Sequence, residues 1–236
     1  MADKCILSST PDEITKLGAY CLSNSTPLPA SIRDVAATTA SETGSKSMMA
    51  CSLVQCHWLM TTTEMLRPKR VLELGTFTGV STLAFYEATR DSLAEIITVE
   101  LDKEYASMAE RGFGKYVSGG RVELLRMCCA DALRLVKGQF DLIYIDADKG
   151  GYAGYLRDIL DRRLLSSRGV VLVDNALIFG LVVDDSFTSN VPAGRLESFQ
   201  ESAAQLRKFN EFVASDSRIT CSLLPAFDGV MCIRWR

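Results

Sequence analysis

Two short segments bring together side chains that could do chemistry: Asp146-Ala147-Asp148-Lys149 and Asp174-Asn175, each following an apolar run (Leu142–Ile145 and Val170–Val173). If those runs are adjacent parallel strands, their carboxyl ends converge. Two carboxylates and an amide then converge without nearby sulfur or imidazole. Hard oxygen donors suit a divalent cation: Mg2+ first, with Mn2+ or Ca2+ as alternatives. Either aspartate alone is equally well explained as a strand-end cap, whereas the pair with Asn175 favours metal ligation by Asp146, Asp174 and Asn175. Lys149, three residues past Asp146, would stand beside such an ion, where its ammonium form is disfavoured. It could then take a hydroxyl proton as a general base, an effect worth about 10²–10⁴-fold. The plain alternative for Lys149 is a surface lysine at a helix start.

A second constellation lies upstream. Val71-Leu72-Glu73-Leu74-Gly75-Thr76-Phe77-Thr78-Gly79 reads as a strand entering a glycine-containing turn and then a helix. Gly75 allows a tight turn and close approach to a ligand. Val99-Glu100 ends the next run, and a carboxylate there can accept hydrogen bonds from both ribose hydroxyls. Ala130-Asp131-Ala132, after the third run, suits an adenine. Phe77 stands where a pyrophosphate fingerprint needs glycine. Glu73 would repel a pyrophosphate but suits a cofactor carrying an ammonium and a sulfonium. The combination points to S-adenosylmethionine rather than NAD.

The elements that must hold these motifs alternate. Val71–Leu74, Ile96–Val99, Val122–Leu125, Leu142–Ile145 and Val170–Val173 are short apolar runs, separated by helical patterns such as Ser81–Arg90, Lys103–Tyr116 and Tyr152–Leu165. Near-continuous apolar strands argue for a parallel sheet covered on both faces. Arg218–Leu224 and Gly229–Trp235, joined by Pro225–Asp228, read as a closing antiparallel pair. Pro11–Leu22, Ser31–Ala40 and Ser47–Leu66 read as N-terminal helices, and 184–194 as a loop. The expectation is an α/β, Rossmann-like doubly wound, mostly parallel seven-stranded sheet. It carries a C-terminal antiparallel hairpin and extra N-terminal helices, in one domain over 1–236 with a helical extension over 1–45.

Composition excludes several classes. A net charge of −3 with interspersed signs gives no basic footprint for nucleic acid. The Arg67, Lys69, Arg70 group reads as a solvated helix end. Eight cysteines without a CxxC pair and a single histidine, His57, do not assemble a zinc site at familiar spacings. They suit free thiols in a reducing cytoplasm. No apolar run approaches the ~20 residues of a membrane span, and no secretory signal is expected after Met1–Lys4. His57 reads as a packed or surface residue, and Trp58, Leu59 and Phe85 as core. Phe179, Phe187 and Phe199 flank the loop and either line an acceptor pocket or cover the sheet edge.

These motifs resemble the cation-dependent small-molecule O-methyltransferases, the group of caffeoyl-CoA O-methyltransferases and catechol O-methyltransferase. The match is carried by Glu73–Ser81, Val99-Glu100, Asp146–Lys149, Asp174-Asn175 and Leu224-Pro-Ala-Phe-Asp-Gly229, in order from about Ser47 to the C-terminus. The resemblance implies metal ligation by Asp146, Asp174 and Asn175, and Lys149 as base with Asp146 beside it in the catalytic and cofactor-side set. It further implies Glu73, Gly75 and Ser81 around the methionine part of the cofactor, Glu100 on the ribose, and Asp131 and Ala132 on the adenine side. Met49 and Cys51 match a helix-start segment closing over the cofactor, and a homodimer is implied. The chain departs from plant members at Ala176-Leu177-Ile178, where they have Thr-Leu-Trp, and in a longer 184–200 loop. The expected activity is metal-dependent methylation of a vicinal dihydroxy aromatic, since two adjacent oxygens can chelate one ion. The rivals are a metal-independent methyltransferase on the same fold, an NAD-dependent oxidoreductase, and a non-catalytic cofactor-binding protein.

Overall fold

The computed structural model describes residues 10–236, so the reading of Met1–Lys4 lies outside the described residues. Helices α1 (Pro11–Ser23), α2 (Ala30–Thr43) and α3 (Leu53–Leu66) precede a regular alternation. It runs β1 (Arg70–Leu74), α4 (Val80–Ala88), β2 (Glu95–Val99), α5 (Lys103–Tyr116), β3 (Val122–Leu125), α6 (Cys129–Leu135), β4 (Phe140–Ile145), α7 (Tyr152–Asp161), β5 (Leu165–Val173), α8 (Leu196–Ser215), β6 (Ile219–Leu224) and β7 (Val230–Trp235). The sheet order is β3-β2-β1-β4-β5-β7-β6. β1 through β5 pair in parallel, and β7 is antiparallel to both β5 and β6. The expected seven-stranded architecture is therefore the one observed. The order reverses between β1 and β4, and open α/β sheets bind ligands at the strand carboxyl ends beside such a reversal.

Strand periodicity divides the core. Leu72, Leu74, Ile143, Ile145, Val171 and Val173 point to one face, where α6, α7 and α8 bury Leu133, Leu156, Ile159, Leu206 and Phe209. Val71, Ile96, Leu142, Tyr144 and Leu172 point to the other, against Ile32, Leu59, Leu83 and Phe85 of α2, α3 and α4. Burying each such Leu, Ile or Phe contributes roughly 1.5–3 kcal/mol. This two-sided cover is why the strands read as near-continuous apolar runs.

Four boundaries differ from the sequence reading. The segment over 47–66 is two elements: a 3-10 turn at Gly44–Met49, then α3, which starts where the Ser52 hydroxyl accepts from the Gln55 amide at 3.1 Å. α8 begins at Leu196, so the 184–194 loop stands as read, while the 184–200 segment takes in the start of that helix. β5 begins at Leu165, ahead of an irregular pairing between Phe140 and Leu142. Arg67 is the left-handed C-cap of α3, while Arg70 belongs to β1 and lays its guanidinium over Phe140 at 4.4 Å. Among the described residues no helix is long and apolar enough to cross a membrane.

Candidate active site

A cavity of about 1380 Å3 opens along the carboxyl ends of β1, β2, β4 and β5. Pockets for one small ligand run roughly 300–1,000 Å3, so two molecules fit. On the β1 side, Gly75 has φ +100, and a Cβ there would stand 2.0 Å from the Asp146 carbonyl oxygen. Only glycine lets β1 leave the sheet while its turn lies flush against the end of β4. Val99 O receives the N–H of both Gly75 and Thr76 at 3.0 Å, which ties the turn to β2.

Glu100, at the end of β2, accepts from Phe77 N and Asp102 N, each at 2.8 Å. Burial raises its carboxyl above the usual range. It lines the cavity, as expected of a ribose acid. Glu73 does not line it. Its side chain is wholly buried, with Oε1 accepting from Ser81 (2.6 Å) and Oε2 from Thr98 (2.5 Å) and Thr82. Burial pushes its carboxyl up to about 7, against the pull of the three hydroxyl donors. Ser81 does reach the cavity and stands between Glu73 and the ligand space. Asp131 is exposed and paired with Arg134 at 2.8 Å, and Ala132 is buried, so neither lines the cavity. The residues of that turn that do line it are Cys128 and Cys129.

The oxygen donors converge as expected. Asp146, Asp174 and Asn175 share the cavity wall with Lys149. Lys149 Nζ donates to Asp146 Oδ1 at 3.0 Å and to the Tyr152 hydroxyl at 2.7 Å. Asp174 is 4% exposed. Its Oδ2 accepts from Gln55 Nε2 (2.6 Å) and the Tyr144 hydroxyl (2.7 Å), and its Oδ1 from Asn175 N (2.7 Å). Burial, then the neighbouring Asp146 charge, pushes the Asp174 carboxyl upward. Asn175 adopts φ +57, a left-handed conformation that asparagine tolerates. Its Nδ2 donates to Asp228 Oδ2 at 3.1 Å. Asp228 comes from the β6–β7 turn, and burial raises it to about 6. That turn is bound to the Asn175 loop by Ala176 N to Gly229 O (2.9 Å) and Leu177 N to Asp228 O (3.0 Å).

Met49 and Cys51 both line the cavity, and Met49 is half exposed. Cys51 lies deeper, with Sγ 3.4 Å from the Tyr144 hydroxyl; its thiol, Asp146 and Asp174 offer donor atoms within 4.8 Å of one another, so a sulfur does stand near the oxygen donors, contrary to expectation, because the segment before α3 lies over the strand ends. Burial holds that thiol well above its usual pKa, so it stays protonated at neutral pH and leaves the oxygens as the strong donors. Phe179 and Phe199 line the outer half as an edge-on pair with centroids 4.9 Å apart, whereas Phe187 does not line it. Trp58 packs on Phe227 at 5.6 Å, and His57 is half-buried on α3 outside the cavity. Gln55 and Tyr144 carry no site signal of their own in the sequence beyond Gln55 being polar on the apolar side of a helix, and Asp228 enters only within the Leu224–Gly229 motif.

Comparison with known proteins agrees with this geometry. The profile of a family described as O-methyltransferase matches residues 22–236. The O-methyltransferase hkm8 of Aspergillus hancockii is 41% identical over 252 residues, covering 100% of each chain. The caffeoyl-CoA O-methyltransferase of Stellaria longipes is 27% identical over 205 residues, covering 83% of this chain and 80% of that one. The SAH-bound crystal structure of the methyltransferase PaMTH1 of Podospora anserina superposes with a TM-score of 0.94 at 35% identity, covering 99% and 100% of the two chains.

Proposed function

The chain belongs to the O-methyltransferase family, and we propose that within it the protein is a divalent-cation-dependent enzyme that methylates one hydroxyl of a vicinal dihydroxy aromatic. It is an S-adenosylmethionine-dependent O-methyltransferase of the caffeoyl-CoA O-methyltransferase-like kind. The oxidoreductase and non-catalytic readings are set aside with that membership.

The observation that carries the proposal is the convergence of Asp146, Asp174 and Asn175 with Lys149 at neighbouring strand ends. The donors fit a hard cation: two carboxylates, one of them buried, whose mutual repulsion a positive ion would relieve, and an amide held by Asp228. When bound, such an ion supplies Lewis acidity to two adjacent acceptor oxygens and lowers the pKa of one hydroxyl. The protein's own residues do the rest. Gln55 and Tyr144 fix one oxygen of Asp174, and Asp228 fixes the Asn175 amide. Glu100 receives the ribose hydroxyls, and the Gly75 turn admits the cofactor against the sheet. Lys149, oriented by Asp146 and Tyr152, would take the acceptor hydroxyl proton at Nζ once a divalent ion beside it has disfavoured its ammonium form and left it a neutral amine. Phe179, Phe199 and Met48 keep water from the acceptor ring. The proposal takes the chain to act as one domain and as a cytoplasmic homodimer. Support comes from seven free cysteines among the described residues and from the exposed Tyr20 of α1.

A second reading is a metal-independent methyltransferase, favoured by the 3.0 Å Lys149–Asp146 pair, which already balances one of the acidic groups. Methyl transfer to a catechol, with Mg2+ or with EDTA, in the native protein and in Asp174→Ala, separates the two. The proposal expects at least a hundredfold loss with EDTA and in the variant. Full activity in both would refute it.

A further inference from the structure

Resting on this reading of the site, we infer that Arg195 selects acceptors that carry a free carboxylate. Among the described residues, two cationic side chains line the cavity, Lys149 and Arg195. Lys149 is held by Asp146 at 3.0 Å. Arg195 makes no ion pair among the described residues. Its guanidinium lies over the Phe199 ring at 4.8 Å, and one N–H points at the Met48 thioether sulfur at 3.8 Å, a weak acceptor. A fork of donors spent on a ring face and a thioether matches a carboxylate, which would accept two parallel N–H bonds.

Position gives the inference its chemistry. Arg195 immediately precedes α8, at the exposed edge of the cavity. Phe199 stacks edge-on with Phe179 at 4.9 Å, and the Phe179 N–H donates to Asp228 Oδ1 at 2.5 Å. Asp228 in turn holds the Asn175 amide. One wall thus runs from the guanidinium, across two rings, to the oxygen-donor end. An aromatic acceptor laid on that wall places its hydroxyls at one end and a substituent against Arg195 at the other. A single cation among Ile14, Leu17, Met48 and phenylalanines suits one carboxylate better than the several phosphates of a nucleotide carrier.

The test uses protein loaded with S-adenosylhomocysteine and Mg2+, and measures binding of 3,4-dihydroxybenzoate and caffeate against their methyl esters by calorimetry. The native protein is expected to prefer at least one acid over its ester by about tenfold, a magnitude moderated by the exposed edge. Arg195→Ala should lower the acid-to-ester ratio by tenfold or more, and Arg195→Glu should favour the ester outright. The ratio within each variant cancels general loss of fold. Ester preference in the native protein, a ratio unchanged in Arg195→Ala, or stronger binding of the acid's coenzyme A thioester would each overturn the inference. Arg195-dependent acid binding without methyl transfer would sink the catechol reaction and leave this inference standing.

Discussion

Glutamine at position 73 should change how stability depends on pH. Glu73 is wholly buried, and burial raises its carboxyl from 4.5 to about 7 even with Ser81, Thr82 and Thr98 donating to it. In the unfolded chain the same carboxyl titrates near the ordinary glutamate value. Because the folded pKa is the higher one, the folded state holds the proton more tightly. The contribution to stability is full below the unfolded pKa and is lost as pH rises through about 7. At about 1.4 kcal/mol per pKa unit the whole loss is about 3 kcal/mol, of which about 2 kcal/mol falls between about pH 5.5 and 8.5. Glu73→Gln has the same volume and does not titrate, and the three hydroxyls can rotate to serve its amide. Asp174, Asp228 and Glu100 titrate in both proteins, so the difference between the two isolates residue 73. Urea unfolding of the cofactor-free proteins at about pH 5.5, 7 and 8.5 should show the variant gaining about 2 kcal/mol on the native protein across the range. In thermal melts that is roughly 4–8 °C for a chain of this size. A difference that stays constant with pH would refute the assignment of a raised carboxyl at Glu73.

Two further substitutions probe the supports of the site. Tyr144→Phe removes one of the two donors on Asp174 Oδ2, leaving Gln55. Mg2+ affinity measured by calorimetry should fall about tenfold, the lower end of what partners of a ligating group are worth, and an unchanged affinity would rule out that orienting role. Gly75→Ala places a Cβ 2.0 Å from the Asp146 carbonyl at φ +100. It should cost about 3 kcal/mol or more and weaken S-adenosylhomocysteine binding at least tenfold; a variant with native melting temperature and affinity would contradict the close packing of the two strand ends.

The legible parts of the fold were those with a continuous local signal. β1, β2 and β4 are short and largely buried on both faces, and the edge strand β3 keeps apolar Val122, Leu124 and Leu125 half-buried around exposed Glu123, so their apolar runs mark all four within two residues of their ends. β5 was read short because Ser166, Ser167 and Arg168 interrupt its apolar pattern; they lie where pairing with β4 is irregular and the strand is exposed. α8 carries no start signal for a different reason: Arg195 stands at its N-cap and does not cap it with its side chain, where Ser, Thr, Asp or Asn would announce the helix. Its buried stripe of Ala203, Leu206, Phe209 and Val213 lies further along and carries the helical period. For α3 the announcement was present and overlooked: Ser52 and Gln55 have the spacing of a capping box. The Gln55 side chain does not close that box; it leaves the helix terminus for Asp174.

The same division separates the residues that face the cavity from those that hold them. Asp146, Asp174, Asn175 and Glu100 sit at strand carboxyl ends, a location that local sequence reveals once the strands are known. Their partners arrive across long separations: Gln55 is 119 residues from Asp174, and Asp228 is 53 from Asn175. No spacing rule connects such pairs: Gln55 meets Asp174 where α3 packs on the sheet, and Asp228 meets Asn175 where β7 pairs with β5. Glu73 is the instructive exception, because its local signal was read for the wrong property. Its type and its place before Gly75 suggested a ligand contact. Its parity in β1 was the better guide, for Glu73 shares the face of Val71, which α4 covers. A carboxylate on that face must find donors in α4, and Ser81 and Thr82 are there. The charge therefore acts on the ligand space through the Ser81 hydroxyl, and the raised carboxyl that results is what the glutamine substitution reads.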